Sequence, residues 1–212
     1  MTTVRTPPVP GRAEELPAMS AGMSGYIADY FVTLKLLLDA VDTAQIEQIV
    51  TLLLETFQGG RRLVLCGNGG SASTASHLVC DFAKNVLLDS GKAFEVVALT
   101  DSPALLTAWS NDTEYANVFA GQARTWLRMG DVLLAISGSG NSPNILKAIE
   151  VAHEVGATSI GFCGYGGGKL AGMVDIPVVV HKRNMQQVED LHMIFGHVIF
   201  AALRDRIKGL LA

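Results

Sequence analysis

A chain of 212 residues, 49% hydrophobic and 17% charged, has the length and apolar content of one globular domain with a sizeable core. Its net charge of −4, with 16 scattered basic residues, argues against nucleic-acid or anionic-membrane binding. Three cysteines (Cys66, Cys80, Cys163) lack the short spacing of a structural zinc site and cannot all pair, so a reducing cytoplasm is the expected location.

Residues 1–22 are rich in proline and polar residues and carry no apolar leader core. They are expected to be a loose or partner-clasping arm before one domain over 23–212. No uninterrupted apolar run approaches the roughly 20 residues of a membrane helix. Helical spacing of apolar residues then predicts helices over Met23–Val41 and Asp42–Phe57, the second capped by Asp42 or Thr43 and stopped by Gly59 and Gly60. Their broad apolar faces suit packing on a sheet or on another copy of the chain.

The period changes at Arg62–Cys66, a short apolar run ending in glycine. Phe94–Thr100, Asp131–Ser137, Thr158–Cys163 and Asp175–His181 are similar runs. Helical patterns separate them: Ala72–Val86, Pro103–Ser110 with Glu114–Arg128, Asn144–Val155, and a short turn near Lys169–Met173. A last amphipathic helix covers about Val188–Leu210. Alternation of this kind predicts an α/β fold, a doubly wound, flavodoxin-like sheet of five parallel strands covered on both faces. In such sheets ligands bind beyond the carboxyl ends of the strands, where strand order reverses.

Two loops follow strands and lead into helices. In SGSGNS, Ser137, Ser139 and Ser142 offer hydroxyls, and Gly138 and Gly140 let backbone N–H groups approach an anion. Asn141 or Ser142 is a candidate helix cap. No P-loop lysine is present, so a sugar phosphate suits the loop better than a nucleoside triphosphate. The alternative is a capped turn without a ligand. In GNGGSAS, Gly67 and Gly69 are present but Ala72 takes the last glycine position of a dinucleotide fingerprint. A tight turn presenting Asn68 and Ser71 to a small polar ligand is the better reading.

His77 and Asp81 are four apart, on one helical face. Taken alone they are either a surface hydrogen bond or two ligands of a divalent ion. Glu189, His192 and His197 are the polar exceptions of the last helix, where a packing role is the usual one for each histidine. Glu189 and His197 are eight apart, about 12 Å along the axis, too far to meet on one ion. Either Glu189 sits in an irregular first turn or the two serve different sites. Asn111 and Asp112 either cap the helix beginning near Glu114 or reach sugar hydroxyls.

GNGGSASTASHLVCDF, SND, GDVLLAISGSGNSPNILKAI, GYGGGKLAG and VEDLHMIFGH occur in this order. Together they resemble the SIS (sugar isomerase) domain family, and within it the phosphoheptose isomerases, over roughly Met23 to the C-terminus. The resemblance implies a homotetramer with active sites between subunits. It also implies conversion of sedoheptulose 7-phosphate to D-glycero-D-manno-heptose 7-phosphate, with zinc as cofactor. It assigns substrate contacts to Gly67, Asn68, Gly69, Ser71, Asn111, Asp112, Ser137, Gly138, Ser139 and Ser142. His77 and His197 are the implied zinc ligands. Asp81 stands where the family has a glutamate that is ligand and base, and Glu189 where it has a glutamine contacting metal and substrate. Asp81 is one methylene shorter; Glu189 adds a charge.

Aldose–ketose isomerisation moves a proton between C1 and C2 through a cis-enediol, which needs a base at carbon and an acid at the carbonyl oxygen. Asp81 is the expected base, with Glu189 as rival, and His197 the acid. The alternatives are a non-catalytic SIS module binding a protein partner, of the replication-initiator-associating type, and an isomerase of another phosphosugar.

Overall fold

The computed structural model describes residues 22–211; all but the last residue of the expected arm lies outside them. Five parallel strands form one sheet in the order β2-β1-β3-β4-β5. They are β1 (Leu63–Gly67), β2 (Val96–Ala98), β3 (Val132–Ser137), β4 (Thr158–Cys163) and β5 (Ile176–Val179). The central strands β1 and β3 are buried along their whole length, as strands covered on both faces must be. The edge strands are shorter than the apolar runs at Phe94–Thr100 and Asp175–His181, because ladder pairing reaches only three residues of β2 and four of β5.

Alternate residues of each strand feed two cores. Leu63, Leu65, Val132, Leu134, Ile136, Ile160 and Phe162 pack under α2 (Thr43–Gln58), α3 (Gly70–Val79), α4 (Val86–Ser90) and α8 (Met185–Leu211). Val64, Cys66, Leu133 and Ala135 face the other side, under α5 (Pro103–Asp112), α6 (Val118–Trp126) and α7 (Pro143–Val155). Burial pushes the Cys66 and Cys163 thiols up to about 12, so both are packing groups rather than nucleophiles.

The helix α1 (Met23–Asp39) stands apart. None of its residues is buried, and Met23, Ile27, Phe31 and Val32 are exposed. It is tied to α8 where the Tyr30 hydroxyl donates to Asp190 Oδ2 at 2.6 Å and Gln187 Nε2 donates to the Tyr30 carbonyl at 3.2 Å. At the other end of α8, Arg204 pairs with Asp89, and Lys208 Nζ lies 3.3 Å from the same carboxylate.

Two expected helices differ in detail. The segment expected as one helix over 72–86 is α3, then a π-turn at Cys80–Asn85, then α4. The segment after β2 breaks at Asp112 and resumes through a 3₁₀ turn at Tyr115–Asn117. No helix among the described residues is long and apolar enough to cross a membrane.

His192, on α8, is fully buried beside Phe162, and neither ring nitrogen has a hydrogen-bond partner among the described residues. Burial lowers its pKa to about 4, against a smaller upward pull from the Cys163 backbone. The packing role expected for His192 is the one it has, but not the satisfied ring expected with it. The folded pKa lies below the unfolded value, so the unfolded chain takes up the proton first as pH falls. Stability is therefore full above about pH 6.5 and declines toward pH 4, by roughly 3 kcal/mol from this residue. Urea unfolding across that range should show the decline. His192→Leu should flatten it, and an unchanged slope in the variant would refute the assignment.

Candidate active site

Strand order reverses between β1 and β3, so the loops after these two strands flank the crevice where such sheets take ligands. The loop after β3 is fastened mostly by its own groups. Ser137 Oγ accepts the Gly140 N–H at 3.2 Å, and Ser139 Oγ accepts the Asn141 N–H at 3.2 Å. Asn141 donates to the Ser139 carbonyl at 2.9 Å and accepts the Lys169 N–H at 3.1 Å. Gly140, at φ +63°, lies against the backbone of Gly167, and a β-carbon there would overlap the Gly167 carbonyl.

Neither expected side-chain cap of α7 forms. Asn141 is spent on the loop. Ser142 holds the N-cap position without a capping bond, before Pro143. Its hydroxyl has no partner among the described residues and sits at the N-terminus of a 13-residue helix, which favours an anion.

In the loop after β1, Asn68 faces a neighbour in the chain rather than open space. Its Nδ2 donates to Asn144 Oδ1 at 3.0 Å, while its Oδ1 accepts from Asn144 Nδ2 and from the Tyr115 hydroxyl, both at 2.9 Å. Asn144 is 1% exposed, so this amide pair rivets the loop after β1 to the start of α7. Neither Asn144 nor Tyr115 was identified from the sequence; an asparagine just inside a helix start was the only available signal. Ser71 is buried in the first turn of α3, its backbone packed on Gly67, and Gly69 precedes it at φ +56°. Asn111 and Asp112 are exposed and end α5, with Asn111 Nδ2 donating to Asp112 Oδ1 at 2.9 Å. They therefore do not cap the following helix, which begins at Tyr115.

His77, Asp81 and His197 converge. The two histidine Nε2 atoms are 2.9 Å apart, and Asp81 Oδ2 lies 3.4 Å from His77 and 3.8 Å from His197. Asp81 is the second residue of the π-turn, a helical irregularity that recurs at functional sites. Asn85, which closes the turn, donates from Nδ2 to Asp81 Oδ1 at 3.3 Å. His197 reaches His77 because Gly196 lies against Leu78: a β-carbon at 196 would stand 2.5 Å from Leu78 Cδ2.

Glu189 is not part of this group. It lies in the second turn of a regular helix, which excludes an irregular first turn, and its carboxylate sits against Gly70 at the start of α3. His77, Asp81 and His197 offer ligand atoms all within 4.8 Å of one another. Tetrahedral zinc with bonds near 2.0 Å separates its ligands by about 3.3 Å. The observed 2.9, 3.4 and 3.8 Å bracket that value. Two imidazole nitrogens and one carboxylate oxygen are also the donor types that zinc takes, so the residues fit such an ion.

A family model described as the SIS domain matches residues 29–164. The phosphoheptose isomerase of Clostridium acetobutylicum is 38% identical over 175 residues, 82% of this chain and 89% of the relative. That of Aliarcobacter butzleri is 33% identical over 187 residues, 87% of this chain and 98% of the relative. Among solved structures, phosphoheptose isomerase GmhA from Neisseria gonorrhoeae superposes with a TM-score of 0.77 at 30% identity, covering 86% of this chain and 96% of that one. A phosphoheptose isomerase from Francisella tularensis gives 0.79 at 27% identity, over 84% and 96%.

The contact between Gly196 and Leu78 yields a direct test. Gly196→Val should force α8 away from α3 and weaken cobalt(II) binding by about tenfold or more, with helix content by circular dichroism unchanged. Wild-type cobalt affinity in the variant would show that the histidine spacing is set elsewhere.

Proposed function

We propose, from the premise that this chain belongs to the SIS domain family and within it to the phosphoheptose isomerases, that it interconverts sedoheptulose 7-phosphate and D-glycero-D-manno-heptose 7-phosphate. The observation that carries the reading is the His77–Asp81–His197 group on a fold whose crevice has a ready anion loop. A module that only binds a protein partner has no need of that group.

The phosphate docks on the 137–142 loop, taking the Ser142 hydroxyl and the amino end of α7. The sugar lies toward Asn111, Asp112 and the turn at Gly67–Ser71, where recognition falls to backbone N–H groups because Asn68 is engaged with Asn144. Asp81 takes the proton from the carbon next to the carbonyl and returns it to the neighbouring carbon. It stands beside both imidazoles, whereas Glu189 is held at Gly70, so the rival base is the weaker candidate. His197 supplies a proton to the substrate carbonyl oxygen as the enediol forms, and takes one from the hydroxyl on the neighbouring carbon as the product carbonyl forms there. His77, Asp81 and His197 would hold a zinc ion, which would supply positive charge to offset the developing enediolate.

Homo-oligomerisation, as a tetramer, completes this reading. The side chains of His77 and His197 are 47% and 50% exposed, so one chain leaves the reacting group open to water. The apolar face of α1 is uncovered as well. A second copy would bury α1 and roof the histidines.

His197→Ala should lower turnover of sedoheptulose 7-phosphate by at least about 100-fold while the variant keeps its thermal midpoint. Chelation of wild type should reduce activity, and zinc should restore it. Full activity in His197→Ala would refute the assignment. A panel of phosphosugars assayed alongside identifies the preferred chain length. Light scattering should find a tetramer in wild type and smaller species for the double variant Ile27→Asp, Phe31→Asp, with activity falling in parallel. A tetramer that survives the double variant would show that α1 is not the interface.

A further inference from the structure

We propose that Asn85 is the positioning residue that commits the Asp81 carboxylate to presenting one oxygen, Oδ2, to His77 and His197. The proposal rests on the metal reading of these three residues. A carboxylate on a short side chain has two equivalent oxygens, and its last torsion has a broad, roughly two-fold profile. Left alone it can exchange oxygens or turn both toward a cation.

Here the equivalence is broken. Oδ2 faces the two imidazoles at 3.4 and 3.8 Å, while Oδ1 accepts the Asn85 amide at 3.3 Å. Both residues belong to the π-turn at Cys80–Asn85, so one short segment of backbone carries the carboxylate and its restraint. Asn85 is half-buried and Asp81 has 20% of its side chain exposed, which limits competition from water. Among the described residues, this is the one hydrogen bond to the group from outside it. Neither histidine Nδ1 has a partner there, so the orientation that outer hydrogen bonds usually give to metal ligands falls to Asn85 alone. An amide donates without adding charge, so Oδ2 keeps its full anionic character toward the histidines.

The test uses purified full-length protein and cobalt(II) alone, without substrate. Asn85→Leu keeps the size and removes the donor; Asn85→Gln keeps a donor. Asn85→Leu should weaken cobalt binding 10- to 100-fold and alter the visible absorption of the bound ion. Its far-ultraviolet circular dichroism and the thermal midpoint of the metal-free protein should stay close to wild type. Asn85→Gln should recover most of the affinity and the wild-type spectrum. With substrate, the loss in Asn85→Leu should fall on kcat rather than KM, because the phosphate loop is untouched. Wild-type affinity and spectrum in Asn85→Leu would overturn the proposal. If wild type isomerises the sugar phosphate yet binds no cobalt, the proposal and the metal reading both fall while the isomerase reading stands. If wild type binds cobalt but does not isomerise, the cobalt comparison still decides the role of Asn85.

Discussion

The contact of Gly196 with Leu78 sets the geometry on which the His77–Asp81–His197 group depends. Each of these residues immediately neighbours a histidine of the pair: His77 precedes Leu78, and His197 follows Gly196. With no β-carbon at 196, α8 settles against the Leu78 side chain, and the two Nε2 atoms come within 2.9 Å. A second glycine contact, Gly70 with Glu189, fixes the same pair of helices about two turns earlier. The two contacts share an order in sequence, so α3 and α8 run side by side in the same direction. The pairing also seals the core, since α8 carries Val188, Leu191, Phe195, Ile199 and Leu203 into the apolar cluster over the sheet. One interface thus supplies both burial and the spacing of the histidines.

The crevice is organised on the opposite plan. Its polar side chains are mostly satisfied by one another, and that makes it a rigid frame. Ser137, Ser139 and Asn141 close the loop on itself, and Asn141 and Gly140 take the Lys169 and Leu170 N–H groups from the glycine-rich segment after β4. The 137–142 loop leaves for a ligand the Ser142 hydroxyl, backbone N–H groups and a helix dipole. Lys147, the basic residue on α7, is held by Glu114 at 2.6 Å and by Asn117 at 2.8 Å. Anion recognition through preset dipoles avoids the ordering cost of a long cationic side chain. It also matches a ligand that must leave as readily as it enters.

Sheet and loops were legible in the sequence for a physical reason. Strands buried on both faces read as continuous apolar runs, and glycine and serine mark the turns that follow them. Strand order then puts the Gly67–Ser71 and Ser137–Ser142 loops on either side of the switch point. The separation of Glu189 from His197 followed from helical rise alone. Other features have no local signature. A π-turn differs from an α-helix by one residue of hydrogen-bond register, which the pattern of apolar residues from 72 to 86 does not encode. The Asn68–Asn144 pair joins positions 76 residues apart, and the two histidines are 120 apart. Their meeting is a product of tertiary packing, so only the family resemblance grouped them. Capping, one of the alternatives open at Asn111, Asp112 and Asn141, does not form at any of them, because each of these side chains has another partner.

Asp81 brings these strands of reasoning together. An aspartate carries its carboxylate on a short stem, and where a carboxylate serves chemistry a misplacement near 1 Å can cost on the order of 100-fold in rate. Yet Oδ2 lies 3.4 Å from His77 and 3.8 Å from His197, inside the range an ion of zinc's size can bridge. Asp81 lies in the π-turn, where Asn85 holds its other oxygen, and α8 sits close enough on α3 for His197 to meet it. Residue 81 is thereby tied to its surroundings: a glutamate here, without a change in the turn, would carry its carboxylate farther out and crowd imidazoles that already lie 3.4 and 3.8 Å from Oδ2.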